Sequence, residues 1–160
     1  MLCLSVNQWL TVDTSGPTSP TGCFDELVHV FLNGASGFSY YSDIDFHDMA
    51  YYVRIAEVIA LVTPFEDLII DGQLAPFAST TNCIVSAMGL NGTFLLGVTP
   101  VDVTQPVGWT FQGNGTGTHT LLDVATDKVV QTTASADVTV TTQLSKTTVY
   151  SFTAASSHVY

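Results

Sequence analysis

The stretch from residue 33 to 72, NGASGFSYYSDIDFHDMAYYVRIAEVIALVTPFEDLIIDG, carries the pattern around which the rest of the chain is organised. A glycine-containing turn leads into a short aromatic strand, FSYY at 38–41, and then into an acidic loop. Apolar residues at helical spacing predict a helix from Met49 to Val62, which Pro64 ends because proline lacks the backbone N–H. A strand that feeds an acidic loop and then a helix is one βα unit.

A second unit of the same kind precedes it. Residues 2–10, LCLSVNQWL, predict a strand, and a loop rich in Thr, Ser, Pro and Gly follows. Residues 23–32 place apolar side chains at helical spacing and predict an amphipathic helix, with Asn33-Gly34 as its C-cap. Two such units in series predict parallel strands joined by crossover helices.

After residue 75 the composition changes: Thr, Val and Gly dominate, and turn signals are frequent. This pattern predicts a meander of short antiparallel strands. Such a meander forms a small β-sandwich. The fold class is therefore α/β followed by all-β, with the boundary near Ala75-Pro76. The predicted strands are 81–88, 93–98, 107–111, 118–124, 128–133, 136–143 and 147–153.

The charge of the chain excludes some partners. The 160 residues carry 14 carboxylates against three cations, a net charge of −11, and only 11% of residues are charged. A phosphate backbone would be repelled, so we expect no nucleic-acid binding. No apolar run approaches the length of a membrane helix, and anionic membranes are disfavoured, so we expect no membrane partner.

Two sequons point to an extracellular or cell-surface glycoprotein. They begin at Asn91 and Asn114, and both lie in predicted turns. The first residues have no basic n-region and do not resemble a signal peptide, so a targeting signal would have to lie outside this chain. Three cysteines allow at most one bridge, and none has zinc-ligand spacing; we expect no metal and no cofactor.

The chain resembles the C-terminal part of glycoside hydrolase (β/α)8-barrel proteins. Residues 33–41 resemble the turn and last strand of such barrels, and residues 63–72 resemble the exit from the last barrel helix. Residues 120–130 resemble a strand pair of the C-terminal sandwich, with Asp127 where glycine is usual. The resemblance implies a partial (β/α) barrel-like region at 1–75 and a C-terminal β-sandwich domain at 76–160, with the first six βα units absent.

The resemblance implies a carbohydrate-active protein that is not catalytically complete as this chain alone. The acid/base of many barrel families lies on the fourth strand, which this chain lacks, and glycosidases need two carboxylates. Whether the chain is an enzyme stays open. Its expected partners are carbohydrate and a missing N-terminal barrel portion.

The acidic loop holds the candidate catalytic residues Asp43, Asp45 and His47. They could serve in acid/base chemistry, contact sugar or an ion, or simply form an acidic helix N-terminus with Asp48 as the cap. The spacing of these residues does not match a metal-binding motif.

Trp9, Tyr40 and Tyr41 are candidates for stacking on sugar rings, although alternation places one of the two tyrosines in the core. His29 and His119 are isolated in the sequence, without a visible partner. The alternative function is a non-catalytic surface or fibre-forming glycoprotein whose copies assemble through the edges of the β-sandwich.

Overall fold

The computed structural model describes residues 20–35, 49–75, 77–113, 117–135 and 137–154. No helix in these ranges is long and apolar enough to cross a membrane. The helices are α1 (Pro20–Leu32), α2 (Met49–Val62), a 3-10 turn (Thr63–Phe65) and α3 (Glu66–Asp71). The strands are β1 (Gln73–Leu74), β2 (Phe77–Thr81), β3 (Cys83–Leu90), β4 (Thr93–Pro100), β5 (Val107–Gln112), β6 (His119–Asp123), β7 (Lys128–Thr133), β8 (Asp137–Thr142) and β9 (Thr148–Ala154).

Helix α1 ends as the sequence predicts. Gly34 has a φ of 92°, which a glycine adopts without steric cost. The N–H of Gly34 donates to the carbonyl of Phe31 at 3.0 Å, and the N–H of Ala35 donates to the carbonyl of Val30 at 3.2 Å. This pair of bonds is the Schellman C-cap, so the predicted Asn33-Gly34 cap is confirmed.

The predicted bounds of α2 are confirmed, but the helical path continues beyond Pro64. Pro64 lies near the start of the 3-10 turn, where its missing N–H costs little. The hydroxyl of Thr63 donates to the carbonyl of Ile59 at 2.7 Å. Helix α3 then runs to Asp71, and the N–H of Gly72 closes its last turn on Leu68. The sequence predicts no separate helix for residues 66–71.

All strand pairings in the described residues are antiparallel. A six-stranded sheet has the order β1-β3-β4-β9-β6-β7, and a three-stranded sheet has the order β2-β5-β8. The strand predicted over 81–88 is wrong in its bounds: the chain forms β2 in one sheet, turns at Asn82, and forms β3 in the other. The antiparallel β-sandwich itself is confirmed.

The core between the two sheets is aromatic. Trp109 and Phe111 project from the three-stranded sheet against Phe94, Tyr150 and Phe152 of the six-stranded sheet. The rings of Phe94 and Phe111 meet edge to face with centroids 4.9 Å apart, a favoured geometry for aromatic pairs.

The helices pack on the other face of the six-stranded sheet. Met88, Leu95 and Val149 point away from the sandwich core and join a second apolar cluster with buried residues of α1, α2 and α3. Strand β4 is therefore buried on both faces, which explains its continuous apolar run, TFLLGV. The molecule has three layers: helices, a shared sheet and a covering sheet. The predicted parallel strands at 2–10 and 38–41 lie outside the described residues.

Three tight turns use residues that tolerate a left-handed backbone. Asn91 and Gly92 have φ values of 51° and 81° and form the predicted β3–β4 turn. Two positive φ values in succession are typical of a type I′ hairpin. Asp127 has a φ of 55° in the predicted β6–β7 turn, and Asn82 has the same φ between β2 and β3.

Candidate functional site

The structure leaves most predicted site residues undescribed. Asp43, Asp45 and His47, together with Trp9, Tyr40, Tyr41 and Asn114, lie outside the described residues. Helix α2 begins at Met49, directly after the predicted acidic loop. The proposed roles of these residues therefore stay predictions. Within the described ranges, no group of His, Cys, Asp and Glu is arranged to hold a metal ion.

The predicted glycosylation residue Asn91 lies at the exposed tip of the β3–β4 hairpin. Thr93, the third residue of the sequon, begins β4. The acceptor amide is therefore on a surface turn. Cys23 and Cys83 are free thiols, and Cys23 is fully buried as a small apolar residue of the helix–sheet cluster. Burial raises the pKa of the Cys23 thiol, with a smaller effect from Glu26.

His29 lies in a polar cluster, so the prediction that it is isolated is wrong. Its Nδ1 is 2.8 Å from the Ser86 hydroxyl, and its Nε2 is 2.8 Å from the Thr99 hydroxyl. The Asn33 amide donates to the same Ser86 oxygen at 2.9 Å, and Thr99 pairs with Thr147 at 2.6 Å. The cluster ties α1 to β3, β4 and the loop before β9. Residues separated by 48 to 70 positions meet here, so no local sequence pattern could indicate it.

This cluster is not a hydrolase triad. In a triad a carboxylate orients the second ring nitrogen, whereas Thr99 occupies that position here. Ser86 is only 7% exposed, and its hydroxyl is already bonded to His29 and Asn33, so it is poorly placed to attack a substrate. Burial lowers the pKa of His29, and the nearby Asp25 carboxylate opposes that shift. The neutral imidazole thus serves as a half-buried link between helix and sheet.

His119, unlike His29, is fully buried. Its ring stacks on Phe152 with centroids 5.1 Å apart and an angle of 8° between the planes. His119 is the first residue of β6, and its ring therefore contributes to the aromatic core between the sheets.

A cleft of about 780 Å³ lies beside the first half of α1, and Thr147 of the His29 cluster is part of its lining. We call it the α1–α2 cleft. Its walls are the first half of α1, the second half of α2, the β6–β7 turn and the loop into β9. Two of the three cations of the chain lie in it, together with carboxylates and an apolar floor. Its charged residues are Asp25, Arg54, Glu57, Asp123 and Lys146.

The outer face of α2 is apolar and exposed. Val58 and Val62 face the sheet and are buried, whereas the opposite side of the helix bears residues with high exposure. Met49 is 70% exposed and Val53 is 51% exposed. We call the exposed apolar residues of this side the outer face of α2: Met49, Tyr52, Val53, Ala56, Ile59 and Ala60. Glu57 at its edge is also exposed and pairs with Arg54, so charge is confined to one border of an otherwise apolar surface.

Comparison with solved structures gives the fold a context. The chain superposes on a GH27 β-L-arabinopyranosidase from Geobacillus stearothermophilus with a TM-score of 0.54 and 7% identity, covering 90% of this chain and 34% of that one. It has the fold of a glycoside hydrolase segment. An Anoxybacillus α-amylase matches with a TM-score of 0.53 and 11% identity over 85% of this chain and 33% of the enzyme.

A noncanonic maltogenic α-amylase from Thermotoga neapolitana matches with a TM-score of 0.54 and 12% identity, over 86% of this chain and 39% of the enzyme. No protein-family profile matches the sequence, and no curated protein matches it. This glycoside hydrolase-like segment spans between a third and two fifths of the solved structures it resembles. The resemblance predicted from sequence is confirmed at the level of the fold.

Proposed function

We propose that this chain is the C-terminal portion of a glycoside-hydrolase-like, carbohydrate-active protein. The observation that carries the proposal is the outer face of α2. One side of the helix packs on the shared sheet, and the other side, with Val53 at 51% exposure, is apolar and uncovered by the described residues. Apart from the Arg54–Glu57 pair at one border, the helix is apolar on both sides, and such a helix belongs in the interior of a larger protein. Another apolar layer therefore covers this face in the complete molecule.

The layer that fits is the parallel sheet of a (β/α)-barrel portion. The solved structures that share this fold are two and a half to three times longer than the matched segment, so they hold material of the required size. Ala56 and Ala60 are small residues on the outer face of α2 and permit close approach of a sheet. The helices are then sandwiched between the barrel and the six-stranded sheet.

In that assembly the acidic loop would supply polar groups to a sugar cleft. Asp43, Asp45 and His47 follow the predicted strand that enters the barrel, and ligands bind at the carboxyl ends of such strands. Trp9, Tyr40 and Tyr41 would offer aromatic planes to sugar rings. Because glycosidases need a second carboxylate, we expect no full turnover from this chain alone.

The test begins with the DNA upstream of Met1. We expect an open frame that encodes further βα repeats, and its full product should hydrolyse aryl glycosides. Asp43→Asn should lower the rate about 100-fold or more if Asp43 takes part in proton transfer. Asp67→Asn is the control, because Asp67 is exposed on α3. A stop codon in place of the frame would contradict the longer protein. Unchanged hydrolysis by the Asp43→Asn variant would contradict the role of Asp43 in proton transfer.

The outer face of α2 is tested separately, in the longer protein that the full reading frame encodes. Ala56→Arg places a charge at the centre of the outer face of α2. It should leave the thermal stability of the isolated chain unchanged, because Ala56 is exposed there, but lower that of the longer protein. Equal melting temperatures for the longer protein and its Ala56→Arg variant would show that another surface meets the barrel.

The second candidate is a secreted surface glycoprotein that assembles through the sandwich. Within the described part of the chain strand β7 pairs only with β6, and its Val129 and Val130 are 60% and 46% exposed, so it is an edge open to strand addition. Expression in a glycosylating host should add a glycan at Asn91. Asn91→Asp removes the acceptor while keeping a residue that tolerates the φ of 51°. Concentration-dependent fibres without any glycosidase activity would favour this candidate over the first.

A further inference from the structure

Asparagine followed by glycine occurs at residues 33–34 and 91–92 of the described chain, and the structure holds the two pairs differently. In such a pair the backbone nitrogen of the glycine can attack Cγ of the asparagine side chain, because glycine has no side chain to hinder the approach. The nitrogen forms a bond to Cγ, ammonia leaves, and water then opens the resulting succinimide ring to aspartate or isoaspartate. The reaction is a deamidation, which consumes water and releases ammonia.

The pair at Asn33-Gly34 is held by the C-cap of α1, although Asn33 itself is exposed. The Asn33 amide nitrogen, which would leave as ammonia, donates to the carbonyl of His29 at 2.6 Å and to the Ser86 hydroxyl at 2.9 Å. The attacking N–H of Gly34 donates to the carbonyl of Phe31 at 3.0 Å. Ring closure at Asn33 must therefore break the cap and the contact with β3.

The pair at Asn91-Gly92 has no such restraint. Asn91 is exposed at the tip of the β3–β4 hairpin, and within the described part of the chain no hydrogen bond holds its side-chain amide. The N–H of Gly92 takes part in no turn bond there. A Cβ built on Gly92 would meet no atom within 4 Å, so water reaches the reacting groups. We propose that Asn91 is a deamidation site in the folded protein and that the cap of α1 protects Asn33.

The isoaspartate product should loosen one end of the sandwich. Isoaspartate places a side-chain methylene in the main chain, so it lengthens the two-residue turn and disturbs the pairing of Leu90 with Thr93 and of Gly89 with Phe94. The Phe94 ring lies so close over Gly89 that a Cβ there would collide with it. Because Phe94 belongs to the aromatic core, a change at the turn reaches the packing between the two sheets.

The reaction also competes with the predicted glycosylation of Asn91. Both modifications need the same side-chain nitrogen, as the acceptor of the glycan or as the leaving group. A glycan on this nitrogen hinders its departure, and deamidation destroys the acceptor of the sequon at 91–93. The two modifications therefore exclude each other, and deamidation is the fate of chains that carry no glycan at Asn91.

Incubation of the unglycosylated chain at mildly alkaline pH tests the site, with circular dichroism to show that the chain stays folded. Protease digestion and mass spectrometry should find the peptide with residue 91 converted from amide to acid, mainly as isoaspartate. We expect Asn91 to react several times faster than Asn33. In guanidinium chloride the cap of α1 is lost, so both residues should then react at similar rates. The digestion also separates the peptide with Asn114, which does not enter the comparison.

Two variants complete the test. Gly92→Asn keeps a residue that tolerates a positive φ but adds a side chain at the attacking nitrogen, so it should slow the reaction at Asn91 several-fold. Asn91→Asp has the charge of the product with an ordinary backbone, and it should melt like the wild type, whereas the isoaspartate form should melt at a lower temperature. Equal rates at Asn33 and Asn91 in the folded chain would overturn the proposal. So would an Asn91 that reacts in guanidinium chloride but stays intact in the folded chain.

Discussion

Gly97 on β4 lies directly beneath Leu32 of α1. A Cβ atom built on Gly97 would be 2.8 Å from Cδ1 of Leu32 and 2.7 Å from Cγ1 of Val28. Real Cβ atoms do not approach other heavy atoms this closely. The absence of a side chain at residue 97 thus sets how near α1 lies to the shared sheet.

Gly97→Ala should therefore lower the free energy of unfolding by about 1–3 kcal/mol, because the added methyl group overpacks a buried contact. Chemical denaturation measures the change. Gly108→Ala is the matched control, since a Cβ there meets its nearest atom at 3.7 Å, an ordinary contact. Equal stabilities of the two variants would contradict the close packing of α1 on β4.

Glycine at residue 127 should stabilise the β6–β7 turn. Asp127 has a φ of 55°, where a residue with a Cβ is strained by about 1 kcal/mol and Asp somewhat less. We expect Asp127→Ala to destabilise the protein and Asp127→Gly to leave it as stable as the wild type or more so. Thermal melts of the three proteins provide the comparison. A more stable Asp127→Ala variant would show that the left-handed conformation is not required.

The His29 cluster predicts a stability that depends on pH. Burial holds the pKa of His29 below that of an unfolded histidine, which is about 6.5. The unfolded state therefore takes up a proton first as the pH falls, so stability is complete above about pH 6.5 and decreases as the pH falls toward the folded pKa. Urea denaturation at a series of pH values from neutral to mildly acid measures the slope.

His29→Gln is the control for this effect, since glutamine can bond to both hydroxyls without titrating in that range. The difference in stability between wild type and His29→Gln should narrow as the pH falls. A difference that stays constant with pH would mean that His29 titrates alike in the folded and unfolded states.

Asn82 should anchor the β4–β5 loop. Its amide donates to the carbonyl of Asp102 at 2.8 Å and to that of Gln105 at 3.1 Å, and its Oδ1 accepts the N–H of Asp102 at 3.0 Å. Asn82→Ala removes these bonds and places alanine at a φ of 55°, so we expect a loss of about 1–3 kcal/mol. Asn82→Gly removes the bonds without the backbone strain and should cost less. Denaturation curves separate the two contributions.

Local signals in the sequence were sufficient for most elements. The bounds of α2 follow from its apolar spacing and Pro64, and β7 follows from the turn before Lys128. The cap at Gly34 and the hairpin at Asn91-Gly92 follow from the conformations that these residues favour. Each of these signals lies within a few residues of the feature it predicts.

Other features depend on contacts between distant segments. The division between β2 and β3 at Asn82 results from the two strands joining different sheets, and an unbroken strand-like sequence does not reveal such a change. His29 acquires its partners from β3 and β4, and the contact between the Asn33 amide and Ser86 becomes evident only when the neighbouring elements are placed. Sequence reasoning found candidate aromatic and acidic residues but missed both of these polar contacts.

Strand β4 has one further consequence. It is hydrogen-bonded to β3 on one edge and to β9 on the other, with an apolar layer over each face. To expose its amide protons, the strand must break hydrogen bonds along both edges and leave both apolar layers. These protons should exchange with deuterium only when the entire sheet comes apart, and the amides of α1 nearest Gly97 should approach the same limit. Slow exchange shared by these two elements would mark them as a single cooperative unit.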